Sequence, residues 1–348
     1  MSDTAFALDL GEKYIKIADI EKKKDKYLAK SIAYSELSTN FYTTGAIIEY
    51  EKLSSQLQTL IKDAGIKKKN VNIVIPDSQS YSKILEMPLL TEKELFSAIK
   101  YQADQLIPLP IEKLSLDLQI LDEDKINKKL TILLVAAENS NIDKVIKIAE
   151  MSGLIPEKIE NETSSTLRLI SEIFLGQKNE QSSILFINFG YRSTSLYLFN
   201  SLTSLPLEIY NYSLGFNIFI KDIQANYNLK QEDINKLLET MGFSDQESES
   251  EKLSSHDLSL ALSAPYKEFV SELEKFITSA KNKFNNTVNN IFIFGEGFKI
   301  NSFEKKLSNS LGIEVKILDM YPHFIKSNTT DFVKNDLPLF ISSIGANL

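Results

Sequence analysis

A short pattern of strand, glycine turn and strand occurs twice in this sequence, about half a chain apart. The first copy has an apolar run at residues 5–8, a turn around Gly11 and alternating apolar and polar residues at 14–20. The second copy runs through residues 184–199, with its turn at Gly190. A duplicated lobe would place two such turns on facing sides of a cleft, where ligands usually bind. Taken alone, the pattern is equally compatible with two unrelated β-hairpins.

Composition limits what such a chain can do. A length of 348 residues is typical of about two domains. The sequence has no cysteine, which excludes disulfides, thiolate metal sites and cysteine nucleophiles, and His256 and His323 are its two histidines. The formal net charge of -8 gives no general attraction to phosphate backbones. We therefore expect no nucleic acid partner, no metal site built from cysteine or histidine and no Ser-His-Asp hydrolase.

The sequence also predicts a cytoplasmic protein. Its first residues carry acid where a signal peptide needs positive charge. The longest strongly apolar stretch, residues 130–137, is far shorter than the ~20 residues that span a bilayer. The lysine-rich segment at residues 21–26 is predicted to be a solvated hairpin turn, too weakly charged to anchor the chain to a membrane.

A compact β-α-β-β-α unit is predicted over about residues 72–155, inserted into the first lobe. Thr91 and Glu94 form a capping box that opens its helix. Two strands follow at residues 114–121 and 129–137, joined by a charged turn.

The second half is predicted to contain a subsidiary subdomain of helices and loop over about residues 226–286. The acid-rich residues 243–257 are predicted to form a solvated loop. A long amphipathic helix is expected to begin at Pro265, because proline suits the first position of a helix.

Three separated segments resemble the two phosphate motifs and the adenosine motif of the actin-like ATPases. They are Asp9-Leu10-Gly11, Asn188-Phe189-Gly190 and Phe294-Gly295-Glu296-Gly297. The inserted unit is similar to that of the PilM family, which is related to the division protein FtsA, through segments such as Val74-Ile75-Pro76 and Met87-Pro88-Leu89-Leu90. Further similar segments extend to Ile344-Gly345-Ala346.

This resemblance implies an α/β fold of two lobes, the actin-like ATPase (ribonuclease-H-like) fold, with an inserted subdomain of the FtsA and PilM type in the first lobe. The first lobe is expected at residues 1–182 and the second at residues 183–348. The resemblance also implies a nucleotide cleft for ATP and Mg²⁺. Its candidate binding residues are Asp9, Gly11, Glu12, Lys13, Tyr14, Lys16, Asn188, Gly190, Arg192, Ser193, Gly215, Gly295, Gly297 and Phe298.

Several of these positions depart from the pattern of the family. Asn188 stands where relatives have an aspartate that helps hold hydrated Mg²⁺, and an amide cannot supply that charge. Glu12 and Glu296 would repel a phosphate, whereas Lys13 and Lys16 would attract one. The ribose and adenine contacts of relatives match Ile234, Asn235 and Leu238, where the expected charges are missing. The sequence therefore predicts a degraded cleft with no catalytic residues.

The resemblance implies an adaptor of the type IV pilus inner-membrane platform. Its expected partner is the N-terminal peptide of a PilN-like membrane-anchored protein, bound in a groove near residues 83–87 and 116–120, where a short peptide could add as a strand. Contacts with pilus motor and platform proteins, indirect membrane association and a homo-oligomer are further expectations of this kind. Two alternatives stay open: an active actin-like ATPase whose bound ATP regulates assembly, and an FtsA-like filament-forming membrane tether.

Overall fold

The computed structural model describes residues 5–38, 41–42, 49–107, 110–174, 182–244 and 255–348. The chain divides into two compact units. Unit 1 comprises Met1–Leu175 and Met320–Leu348, and unit 2 comprises Gly176–Asp319. Within the described ranges, no helix is both long and apolar enough to cross a membrane.

Thirteen strands and ten α-helices are described. The strands are β1 (Phe6–Leu10), β2 (Tyr14–Lys23), β3 (Lys26–Glu36), β4 (Asn70–Ile75), β5 (Ser80–Pro88), β6 (Leu114–Asp124), β7 (Lys129–Glu138), β8 (Ile155–Asn161), β9 (Ser183–Phe189), β10 (Thr194–Asn200), β11 (Pro206–Tyr212), β12 (Val288–Phe294) and β13 (Val315–Ile317). The helices are α1 (Tyr50–Asp63), α2 (Glu92–Leu106), α3 (Asn139–Met151), α4 (Glu162–Phe174), α5 (Phe216–Tyr227), α6 (Gln231–Thr240), α7 (Ser255–Phe284), α8 (Phe303–Leu311), α9 (Asn328–Phe332) and α10 (Ile341–Gly345).

The main sheet of unit 1 has the strand order β3-β2-β1-β4-β8. The predicted first hairpin is confirmed, because β1 and β2 pair antiparallel with Asp9 opposite Lys16. β1 also pairs parallel with β4, and β4 pairs parallel with β8. Every residue of β1 is buried, as expected for a central strand that is covered on both faces.

The inserted subdomain is smaller than predicted. Its own sheet has the order β5-β7-β6, and one face packs on α2 through a core that includes Leu95, Ile99 and Ile132. The expected boundaries of 72–155 are wrong at both ends, because β4 belongs to the main sheet and the apolar face of α3 packs in the main core of unit 1. The insertion therefore spans about residues 80–138, from β5 to the end of β7.

The C-terminal residues also belong to a different unit from the one that the sequence predicted. The sequence assigned residues 183–348 to one lobe, but Met320–Leu348 forms part of unit 1. Helix α10 lies so close to α4 that a Cβ on Gly345 would be 2.0 Å from the carbonyl oxygen of Ser165. Arg168 Nη1 donates to the Gly345 carbonyl oxygen at 2.6 Å, and Asn72 Nδ2 donates to that of Ala346 at 2.9 Å. Long-range contacts of this kind leave no local signal in the sequence.

Unit 2 is built on a sheet with the order β11-β10-β9-β12-β13. The second predicted hairpin is confirmed by the antiparallel pairing of β9 with β10. Helices α5, α6, α7 and α8 share one apolar core with this sheet, so the expected subdomain at 226–286 has no separate core among the described residues. Pro265 lies inside α7 rather than at its start. Most of the predicted acidic loop at 243–257 lies outside the described residues.

We predict that Ile344→Ala destabilises unit 1 alone. Ile344 is fully buried in α10, and removing such a side chain typically costs about 2 to 5 kcal/mol. Hydrogen exchange measured by mass spectrometry should show faster exchange in β1 and α4, with β9 and β12 unchanged. The control is Leu307→Ala, because Leu307 is fully buried in unit 2. This variant should show faster exchange in β9 and β12, with β1 and α4 unchanged. Equal loss of protection in both units after Ile344→Ala would contradict the assignment of the C-terminal segment to unit 1.

Candidate functional site

The first group of candidate residues lies at the hairpin turn of unit 1. The Lys16 ammonium lies 2.9 Å from Asp9 Oδ2, and both side chains are buried. Lys16 is therefore not an exposed lysine on the surface of the strand. Because Asp9 and Lys16 are opposite each other on β1 and β2, the register of the hairpin itself forms this ion pair.

Two further side chains reach the same strand from outside the hairpin. The Ser342 hydroxyl of α10 donates to Asp9 Oδ2 at 2.6 Å, and the Tyr42 hydroxyl donates to the Leu10 carbonyl oxygen at 2.8 Å. Burial, together with the carboxylates of Asp9 and Glu12, raises the pKa of Tyr42 well above its usual value, so that the phenol stays protonated. Sequence reasoning missed Ser342 and Tyr42, because nothing local links either residue to the turn.

Glu12, Lys13 and Tyr14 are buried in the turn itself. The Lys13 ammonium lies 5.1 Å from the centroid of the Tyr14 ring, within the range of a cation–π interaction. The Gly11 amide donates to the Tyr14 carbonyl oxygen at 3.1 Å, which closes the turn. The predicted residues of the first hairpin are therefore brought together as one buried cluster.

The second group lies at the hairpin turn of unit 2. Asn188 is buried near the end of β9 and is paired in register with Ser195 and Phe294. The backbone of Gly295 has a φ of +83°, and a Cβ there would lie 2.4 Å from Asn188 Oδ1. Glycine is therefore required at this position by both backbone conformation and space.

The acidic side chain of Glu296 lies close to the turn of the same hairpin. It is buried, and its Oε2 would be 3.8 Å from a Cβ on Gly190. Asn188 and Glu296 therefore give this turn a buried amide and a buried carboxyl group.

The remaining candidate residues of unit 2 lie in the same region as Asn188 and Glu296. A Cβ on Gly297 would lie 1.8 Å from the Phe189 ring, so packing alone requires glycine there. A Cβ on Gly215 would likewise lie 2.4 Å from the Tyr191 carbonyl oxygen. Ser193 is buried, whereas Arg192 and Phe298 are half-buried.

Two of the three α6 positions that were matched to the ribose and adenine contacts of relatives do not lie at the surface of the helix. Ile234 and Leu238 are fully buried in the core of unit 2, so they cannot contact a ligand at the surface of the helix. The polar face of α6 carries Asn235, whose Oδ1 is buried without a partner among the described residues. Glu239 on the same helix pairs with Lys299 at 4.0 Å. Helical periodicity was the signal that could have identified this face from the sequence.

The chemistry available at these two turns is limited. Unit 1 offers Lys13 and Lys16 to an anion, but Asp9 already engages Lys16. Among the residues that the structure describes, no group of three or more His, Asp or Glu side chains could hold a metal ion.

Known proteins share the fold of this chain at low sequence identity. The chain matches a solved PilM-PilN type IV pilus biogenesis complex with a TM-score of 0.85 and 18% identity, covering 99% of this chain and 97% of that one. It also matches the ethanolamine utilization protein EutJ from Carboxydothermus hydrogenoformans, with a TM-score of 0.56, 10% identity and coverage of 100% and 90%. MreB 5 of Spiroplasma citri bound to AMPPNP gives a TM-score of 0.51 and 13% identity, with coverage of 99% and 95%.

These similarities confirm the predicted actin-like fold. A family model described as type IV pilus assembly protein PilM matches residues 7–346, which is nearly the whole chain. The chain belongs to the PilM family of type IV pilus assembly proteins.

Proposed function

We propose that this chain is a cytoplasmic adaptor of a type IV pilus inner-membrane platform. In this role it binds the short N-terminal segment of a membrane-anchored, PilN-like protein through its inserted subdomain. The observation that carries the proposal is the small sheet β5-β7-β6, which has an open edge on each side within the described part of the chain. A solved relative forms a complex of PilM with PilN, which supports the choice of partner.

An open strand edge is suited to bind an extended peptide. Its unpaired backbone amides and carbonyls can hydrogen-bond to a peptide strand, and alternate side chains then give specificity. The sequence placed the groove near residues 83–87 and 116–120, and these segments lie on the two edge strands β5 and β6. We therefore assign the partner to one of these edges.

The surface of the inserted subdomain also carries apolar side chains that a partner could cover. Ile120 on β6 is 51% exposed, and Leu89 and Phe96 are 42% and 40% exposed. Scattered exposed apolar residues are ordinary, but an exposed isoleucine on an open strand edge gives an incoming peptide both backbone and apolar contacts. We assign the central contact to Ile120 for this reason.

We propose that nucleotide plays at most a weak part in this function. Asn188 replaces the acidic group that would help to hold Mg²⁺, and the buried Glu296 lies near the second turn. The buried Asp9 is already paired with Lys16 and Ser342. All three features oppose tight binding of an anionic nucleotide with its metal ion.

Replacing the inserted subdomain should abolish peptide binding without unfolding the main sheet. Ser80 and Ala137 are opposite each other in the pairing of β5 with β7, so a short Gly-Ser linker can replace residues 81–136. Titration calorimetry with the N-terminal peptide of the PilN-like protein should then detect no binding. Hydrogen exchange in β1, β4 and β8 is the control for folding. Unchanged affinity in a folded variant would place the peptide elsewhere.

A single substitution should locate the contact on β6. Ile120→Asp is expected to weaken peptide binding at least tenfold, about 1.4 kcal/mol, because it puts a charge where apolar contact is proposed. The matched control is Ile126→Asp, since Ile126 is 93% exposed in the following turn and not on the strand. Equal affinity of the two variants for the peptide would contradict the assignment to the β6 edge.

Restoring the acid of the second turn should strengthen binding of Mg²⁺-nucleotide. Asn188→Asp adds a carboxylate at the buried end of β9, and we expect about a tenfold gain in affinity for ATP with Mg²⁺ and none without it. Asn226→Asp, at an exposed position of α5, controls for the change in net charge. If the wild type binds ATP with Mg²⁺ more tightly than Asn188→Asp does, the prediction is contradicted, because the asparagine then suits the ligand better than the acid.

A further inference from the structure

Unit 1 carries a shallow pocket of about 410 Å³ that is lined by four lysines and no acid. It lies where α1 ends and β4 begins, beside the turn between α3 and β8. The lysines are Lys62, Lys67, Lys68 and Lys69. Such a concentration of positive charge is unexpected in a chain whose formal net charge is -8.

Three of these lysines are not neutralised. Lys68 forms an ion pair with Asp19 at 2.8 Å. Lys62, Lys67 and Lys69 are exposed and have no ion-pair partner in the part of the chain that the structure describes. We call these three residues the lysine cluster. A lysine in the last turn of a helix is favourable for the helix dipole, which accounts for Lys62, but Lys67 and Lys69 lie beyond the helix.

Exposed apolar side chains border the lysine cluster. Met151, at the end of α3, is 40% exposed, and Ile155, at the start of β8, is 55% exposed. The Ile155 amide donates to the Lys69 carbonyl oxygen at 2.8 Å, so the isoleucine and the lysine are direct neighbours. Exposed lysines beside exposed apolar groups are typical of surfaces that contact anionic membranes, where ammonium groups meet headgroups and apolar groups enter the interface.

The lysine cluster lies at the opposite end of the main sheet from the first hairpin turn. β4 and β8 begin beside the cluster, whereas β1, parallel to β4, ends at the turn that contains Gly11. The six residues of β4 span roughly 20 Å. The inserted subdomain also follows the far end of β4. A membrane at the lysine cluster would therefore leave both the hairpin turn and the inserted subdomain accessible.

We propose that the lysine cluster binds the surface of an anionic phospholipid bilayer. Each lysine near such a surface strengthens binding roughly fivefold, so three give roughly a hundredfold. That is too weak to anchor the chain alone, but it is enough to orient a chain that a membrane-anchored partner already holds near the bilayer. This lipid contact is separate from the peptide site and is tested without it, because the vesicles used below contain no protein.

The test is flotation of the full-length chain with lipid vesicles. One set contains phosphatidylcholine only and the other contains phosphatidylcholine with about a third of phosphatidylglycerol. We expect binding to the anionic vesicles, at least tenfold weaker binding for Lys62→Gln/Lys67→Gln/Lys69→Gln, and no binding to neutral vesicles. Because surface charge is screened by salt, binding should fall as the ionic strength rises. Met151→Ser/Ile155→Ser should also weaken it.

A matched control uses the other lysine-rich segment of unit 1. Lys22, Lys23 and Lys30 are exposed but paired with Glu172 and Glu21, so Lys22→Gln/Lys23→Gln/Lys30→Gln removes equal charge from a compensated surface. This variant should bind anionic vesicles within about twofold of the wild type. The proposal is overturned if the wild type does not float with anionic vesicles at low salt, or if the cluster variant floats as well as the wild type. Binding to DNA of similar charge density, without binding to vesicles, would also overturn it.

Discussion

The buried carboxylate of Asp9 imposes the constraint on which unit 1 depends. A buried charge must be paired and hydrogen-bonded, or it destabilises the fold. Asp9 Oδ2 meets this requirement through Lys16 on the next strand and Ser342 near the C-terminus of the chain, whereas Asp9 Oδ1 is buried without a partner among the described residues. The first hairpin and the C-terminal helix are thereby held to the same side chain. This contact, together with those of Arg168 and Asn72, ties the last residues to the rest of unit 1.

The glycines of the candidate site are explained by packing before any ligand is considered. Gly297 lies against the Phe189 ring, and Gly295 combines a positive φ with close approach to Asn188. The glycines that suggested a nucleotide cleft are therefore required by the backbone conformation and packing of the turn itself.

The sequence predicted the elements of the fold better than their partners. Both hairpins were found because alternating apolar residues around a glycine turn form a strong local signal. The limits of the insertion were not predicted correctly. Nothing in the sequences of β4 and α3 shows whether they belong with the main sheet of unit 1 or with the sheet of the inserted subdomain. The burial of Ile234 and Leu238 was missed because a match to relatives was preferred to the periodicity of α6. Ser342 could not be predicted, since its contact with Asp9 joins opposite ends of the chain.

The most direct test of the adaptor role is hydrogen exchange of the full-length chain with and without the N-terminal peptide of its PilN-like partner. A peptide that adds to an open edge hydrogen-bonds to backbone amides that were exposed before. We expect new protection in β6, with the amides of unit 2 unchanged. Protection confined to unit 2, with none in β5 or β6, would contradict the proposal that the inserted subdomain binds the partner.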